Sequence, residues 1–166
     1  MTQYIIVIFP LAVSIAGILD FFFLTIPNGI PLTLLTGFLI AILVSDLFTP
    51  LLFSHLFAGG AALLIGFAMF ARGWIGGGDG KLLAAAALWL GLDHLLPFLF
   101  WTAALGGLLS LVLLAYRRLL PPVWLLGQSW AMRLHDSREG IPYGIAIAGA
   151  GLIVYPQTIW MTGIAN

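Results

Sequence analysis

Arg72-Gly73-Trp74-Ile75-Gly76-Gly77-Gly78-Asp79-Gly80-Lys81 is the one glycine-dense stretch of the chain, and it interrupts a sequence that is otherwise apolar almost throughout. A helix needs roughly 20 apolar residues to cross the hydrocarbon of a bilayer, with a range of about 17–25. Upstream of the glycines the apolar runs predict three spans. The first covers Gln3 to Leu24 and stops at Ile26-Pro27-Asn28; the second covers Ile30 to Leu47; the third follows Pro50 and ends near Ala71. Downstream, span four is expected from Leu82 to Leu96, span five from Pro97 to Tyr116, and span six from Ile141 to Met161. The polar connection before span six has a centre, Val123 to Leu134, that mixes Trp124, Leu126, Trp130 and Met132 with Gln128, Ser129 and Arg133. Such a mixture suits a helix lying in the headgroup layer. The fold class that follows is an all-α membrane protein, a bundle of about six transmembrane helices with an interfacial helix between spans five and six.

Composition supports the same reading. Of 166 residues, 62% are hydrophobic and 7% charged, against about 45–50% and 25% in soluble domains. So short a soluble chain could not hide that much apolar surface, and lipid resolves the difficulty. One bundle over residues 1–166 is expected, without a second domain. There is no cysteine, which excludes disulfides, thiolate metal sites and thiol nucleophiles. The net charge is zero and no basic run suggests nucleic acid. The first residues lack the positive region of a secretory signal and read as a retained span.

The basic residues orient the bundle. They are Arg72, Lys81, Arg117, Arg118, Arg133 and Arg138, and with six spans all of them fall in two loops on one side. The positive-inside rule makes that side cytoplasmic and turns both termini outward.

Ionisable groups at membrane depth are costly and therefore functional candidates. Asp46 and Asp93 sit near outward span ends, where solvation or a helix-end role accounts for them. Asp136 and Glu139 lie among arginines in a cytoplasmic loop, as ordinary surface charges do. Asp20 is different: it lies inside Gly17-Ile18-Leu19-Asp20-Phe21-Phe22-Phe23-Leu24, shortly before the cytoplasmic end of span one. Asp79 closes the glycine loop on the same side. Two carboxylates that meet in a poorly hydrated site share a proton. The ionised member then takes a proton from water while the other donates to a scissile carbonyl. The residues alone also allow a packing aspartate at 20 and a helix cap at 79, or a proton pathway through both.

Other chemistries lack support. His55, His94 and His135 have no metal-ligand spacing, no metal or other cofactor is implied, and Leu82 after Lys81 breaks the phosphate-loop pattern.

Gly76-Gly77-Gly78-Asp79 fits the G-x-G-D motif, and its continuation Gly80-Lys81-Leu82-Leu83-Ala84-Ala85 resembles the pattern of type IV prepilin peptidases. Asp20 followed by Ile26-Pro27-Asn28 is similar to the family's first aspartate and its I-P-N element. Ile141-Pro142-Tyr143-Gly144 resembles the start of its last span. The resemblance implies a membrane aspartic endopeptidase with Asp20 and Asp79 catalytic and Pro27, Asn28, Gly76, Gly78, Lys81, Pro142, Tyr143 and Gly144 in substrate-binding or supporting roles. Its partners would be the bilayer and a prepilin, cut at the cytoplasmic face of a bacterial inner membrane to release a short basic leader. The short connection after Asp20 and the lack of cysteine resemble the peptidase-only form associated with tight-adherence (Flp) pili, which implies no N-methylation. A proton-coupled transporter or channel component, or a non-catalytic pilus or secretion assembly subunit, would use the same acids differently.

Overall fold

The computed structural model describes residues 6–44, 50–121 and 123–162, so Asp46 lies outside the described residues. Helices α1 (Ile8–Phe23), α2 (Gly29–Val44), α3 (Pro50–Ala71), α4 (Gly77–Leu90) and α5 (Leu92–Arg118) are followed by α6 (Ser129–His135), α7 (Tyr143–Val154) and α8 (Ile159–Thr162). Short 3-10 turns occupy Val123–Leu125 and Tyr155–Gln157. No strand occurs among the described residues.

Two helices, Leu52–Ala71 and Leu92–Arg118, are long and apolar enough to cross a membrane by themselves; Ile8–Phe23, Gly29–Val44 and Tyr143–Gln157 are shorter apolar segments. The outward faces are apolar. Leu64 on α3 is 72% exposed and Leu96 on α5 is 76% exposed, a surface suited to lipid or to a partner.

Helix α4 forms the centre. From Ala85 to Leu90 every residue is buried, as befits a helix enclosed on all sides. Its course corrects the expected span four of Leu82 to Leu96. The helix begins at Gly77, which takes Asp79 out of the loop and into the first turn. It ends at Gly91, where φ is +78° and the amide donates to the Ala87 carbonyl at 3.0 Å; a side chain is strained in that conformation. Pro97, the expected start of span five, falls inside α5, where its missing N–H forgoes one helical hydrogen bond. At α4's 14 residues and about 1.5 Å per residue, it is shorter than the hydrocarbon layer.

The chain's end also departs from one continuous span. Pro156, without an N–H, interrupts it, and the 3-10 turn separates α7 from α8. The expected helix over Val123 to Leu134 is likewise two pieces, the 3-10 turn and α6.

Small residues let the helices approach. A Cβ on Gly66 of α3 would lie 2.9 Å from the Cα of Gly80 on α4, so these two backbones touch. Such contacts are the usual basis of helix packing in membranes. Indole donors add ties between elements: Trp89 Nε1 donates to the Leu34 carbonyl at 2.7 Å, and Trp160 Nε1 donates to the Trp89 carbonyl at 2.7 Å. Trp89→Phe deletes the first donor, and the Leu34 carbonyl keeps only its hydrogen bond within α2. A loss of about 0.5–1.5 kcal/mol is expected for the one hydrogen bond, read as a lower unfolding midpoint in detergent. Trp101→Phe, on an exposed side chain, serves as the comparison; equal midpoints for the two variants would refute the assignment.

Candidate active site

Asp20 and Asp79 are brought to one end of the bundle from different helices. Both are buried, at 4% and 7% exposure, and contacts of Gly144 and Gly78 with Ile26 join their surroundings. Their surroundings derive from the I-P-N, G-x-G-D and P-Y-G sequence elements.

Asp20 lies in the last turn of α1. That helix closes at Leu24, whose φ of 53° is left-handed and whose amide donates to the Asp20 carbonyl at 2.8 Å. A left-handed leucine is uncommon and costs about 1–2 kcal/mol, so packing must hold the turn. The chain then runs through Thr25 to Ile26, which is buried, and Pro27, whose carbonyl accepts the Ile30 amide at 3.1 Å at the start of α2. Pro27 and Asn28 are both exposed.

Asp79 is the third residue of α4. Gly76 is extended, with φ −70° and ψ 153°, and its N–H donates to Asp79 Oδ2 at 3.0 Å. This is the carboxylate half of a capping box; glycine has no side chain to supply the other half. Asp79 therefore caps α4 from within its first turn and not as the N-cap residue, which is Gly76, and it engages one oxygen only. Asp79 Oδ1 is buried without a hydrogen-bond partner among the described residues. An orphaned buried carboxylate oxygen is costly in a finished structure and is free for water or substrate.

The third element joins the two acids. Pro142 precedes α7 and is fully buried, and Gly144 in the first turn of α7 donates its N–H to Asp20 Oδ2 at 2.6 Å. The same amide is within electrostatic reach of Asp79. A Cβ on Gly144 would lie 2.8 Å from Asp20 Oδ2 and from Ile26 Cδ1, and one on Gly78 would lie 3.1 Å from Ile26 Cβ. Ile26 is thus wedged between the two glycines, and the I-P-N, G-x-G-D and P-Y-G elements converge on one point.

Lys81 does not reach toward the acids. Its Nζ donates to Asn28 Oδ1 at 2.8 Å, an exposed link between the α1–α2 turn and α4. Tyr143 packs its ring against Gly106 of α5, and its hydroxyl lies 3.3 Å from Ser110 Oγ. Since Ser110 Oγ donates to the Gly106 carbonyl, Tyr143 is the donor to Ser110. That bond fastens the start of α7, and with it the Gly144 amide.

Sequence reasoning missed Ile26 as a wedge, and Gly106 and Ser110 as anchors. A pattern was visible for some packing glycines, since Gly144 and Ala148 stand four apart as small residues of a packing face do. Nothing in the sequence marked Ser110.

The acidic end also carries the polar connection. Phe21 and Phe22, next to Asp20, lie 5.5 and 5.8 Å from the Trp130 ring of α6. Arg117 donates to the carbonyls of Leu134, Glu139 and Gly140, so α6 is tied down over the end of α1. Asp93 and Asp136 are set apart: Asp93 is in the first turn of α5, where the helix dipole favours it, and Asp136 accepts the Arg138 amide in a turn. No group of three or more His, Cys, Asp or Glu that could hold a metal occurs among the described residues.

The model of the type IV leader peptidase family matches residues 7–111, which include α1 and α4 with both acids. No curated protein and no solved structure matches the chain.

Proposed function

Because the chain belongs to the type IV leader peptidase family, we propose that it is an aspartic endopeptidase in which Asp20 and Asp79 cleave the leader from a prepilin. Membership makes it a leader-peptidase-like protease of a membrane-associated family, with a prepilin as the substrate the family implies. The observation that carries the aspartic reading is the burial of two carboxylates at one end of the bundle, one bonded to the Gly144 amide and the other with an oxygen left without a partner among the described residues.

In this reading the pair holds one proton. The ionised carboxylate takes a proton from a water between the acids, and the resulting hydroxide adds to the scissile carbonyl carbon. The protonated carboxyl donates to the carbonyl oxygen, giving a tetrahedral diol. Collapse breaks the C–N bond as a carboxyl proton passes to the departing nitrogen and a diol hydroxyl returns its proton to the ionised carboxylate, leaving the leader's carboxylic acid and a new amine. Gly144 orients Asp20, Gly76 orients Asp79, and the Ile26 wedge sets their separation. Pro27, Pro142, Gly78 and Tyr143 hold the backbone turns, and Lys81 with Asn28 ties two of these elements together.

The wider proposal is a single domain over residues 1–166 with six spans and a headgroup-layer helix at α6. All six Lys and Arg residues belong to connections or helix ends on the side where the acids lie, which favours that side as cytoplasmic and turns both chain ends outward in a bacterial inner membrane. The substrate proposed is an Flp-type prepilin. The product amine is left unmethylated, because the turn between α1 and α2 is short and carries no cysteine pair.

Co-expression with an Flp-type prepilin, followed by mass measurement of its N-terminus, tests this. The expected product has lost its leader and carries a free amine, in wild type but not in Asp20→Asn or Asp79→Asn at matched membrane levels. Retained cleavage in either variant removes that residue from the mechanism. No cleavage of any Flp-type prepilin by the wild type would favour the transporter or assembly alternative.

A further inference from the structure

A slot of about 240 Å³ opens between α3, α4, α5 and α7, lined by residues that include Met69, Ile75, Leu83, Thr102, Ala103 and Tyr143. Its position relates it to the acids. Ile75 directly precedes Gly76 and Tyr143 directly precedes Gly144, the two residues whose amides bond the carboxylates. Leu83 lies four residues after Asp79, on the same face of α4. The slot therefore adjoins the site on Asp79's side of the central helix. A second groove, lined by Lys81, Ala84, Ala85 and Leu88, runs along the opposite face of α4 and has no such relation.

The slot's chemistry is specific. Its walls are almost wholly apolar, yet Thr102 Oγ1 is buried and has no hydrogen-bond partner among the described residues. A helical threonine ordinarily returns its hydroxyl to a carbonyl in the preceding turn, as Thr33 and Thr36 do on α2. A buried hydroxyl left unpaired is unfavourable, and an incoming peptide carbonyl or amide is the group that would complete it. The volume is of the order of one large apolar side chain.

We infer that this slot is a specificity subsite of the peptidase: it receives a large apolar side chain of the substrate next to the scissile bond, while the Thr102 hydroxyl hydrogen-bonds the substrate backbone. Met69 lines the slot from α3 and Ala103 lines it from α5. The inference rests on the peptidase reading of the same site.

Ala103 is exposed at the mouth, so a larger residue there fills the slot without disturbing the core. The test uses full-length protein in membranes with a co-expressed Flp-type prepilin in which each residue flanking the scissile bond is Phe, Leu or Ala in turn. Wild type is expected to prefer Phe or Leu over Ala at one flanking position by roughly tenfold or more, the range a pocket contact provides. Ala103→Phe is expected to lower that preference at least tenfold, chiefly through slower cleavage of the large-residue substrates. Thr102→Val, nearly isosteric, is expected to lower kcat/KM about tenfold on all of them with the preference unchanged, the pattern of a lost backbone contact. Gly107→Ala, where an added Cβ meets nothing within 4 Å, is expected to behave as wild type. An unchanged preference in Ala103→Phe, or an unchanged rate in Thr102→Val, overturns the subsite. Cleavage that survives Asp20→Asn or Asp79→Asn overturns instead the aspartic reading beneath it.

Discussion

The Asp20→Asn and Asp79→Asn substitutions are each expected to lower prepilin cleavage by about 10²–10⁴-fold, the range that a positioned acid or base contributes, while the bundle stays folded. The amide oxygen of asparagine can still accept the Gly144 N–H at position 20 or the Gly76 N–H at position 79, so the contacts at 2.6 and 3.0 Å survive in kind. What disappears is the ability of the pair to hold and pass a proton. Because the acids act as one unit, the double variant is expected to be no worse than either single one. Rates of prepilin conversion for the three variants, at matched membrane levels and with unfolding midpoints measured in detergent, decide the matter. Multiplicative losses would mean two independent roles rather than a pair. A collapse of the midpoint would mean that the acids are structural.

Gly144→Ala is the second large effect. The added methyl carbon would lie 2.8 Å from Asp20 Oδ2, 2.8 Å from Ile26 Cδ1 and 2.9 Å from Asp20 Cβ, closer than carbon atoms approach without something moving. The carboxylate, the Ile26 wedge or α7 must shift, and a displacement near 1 Å at a reacting group can cost about 10²-fold. Overpacking of this kind also destabilises by about 1–3 kcal/mol. Gly140→Ala, in the connection that leads into α7 and with open space at its Cβ, is expected to retain wild-type cleavage and stability. Equal activity of the two variants would show that α7 does not position Asp20, and the positioning role of the proline-tyrosine-glycine element would fail with it.

The elements that carry local chemistry were legible. Gly76-Gly77-Gly78-Asp79, Ile26-Pro27-Asn28 and Pro142-Tyr143-Gly144 each demand a particular backbone, through glycine's freedom to pack closely or proline's fixed φ, and all three converge in the structure. The helix starts near Gly29 and Pro50 were legible for the same reason. Boundaries inside apolar runs were not. Pro97 invited a break that Gly91 supplies instead, and α5 continues through Pro97 with one helical hydrogen bond missing.

Partner choice was the larger omission. In a chain apolar on every side, periodicity does not separate the face turned to a neighbour from the face turned to lipid, since both surroundings accept leucine equally. Lys81 shows the consequence: the resemblance gave it a substrate-binding or supporting role without a partner, and Asn28, far away in sequence, is what it meets. Thr102 is a second case, an unmarked threonine whose unpaired hydroxyl emerges only when four helices enclose it.

The sequence by itself determined that this chain is helical and apolar, that Asp20 and Asp79 are acids in costly surroundings, and that three turn elements flank them, because composition, charge and backbone preference are properties of residues. Only the tertiary structure decided that the two acids are buried at one end of the bundle, with Asp20 bonded to the Gly144 amide and Asp79 Oδ1 without a partner among the described residues. That arrangement depends on how closely α1, α4 and α7 can pack, and the approach is set by where glycines from distant segments happen to meet.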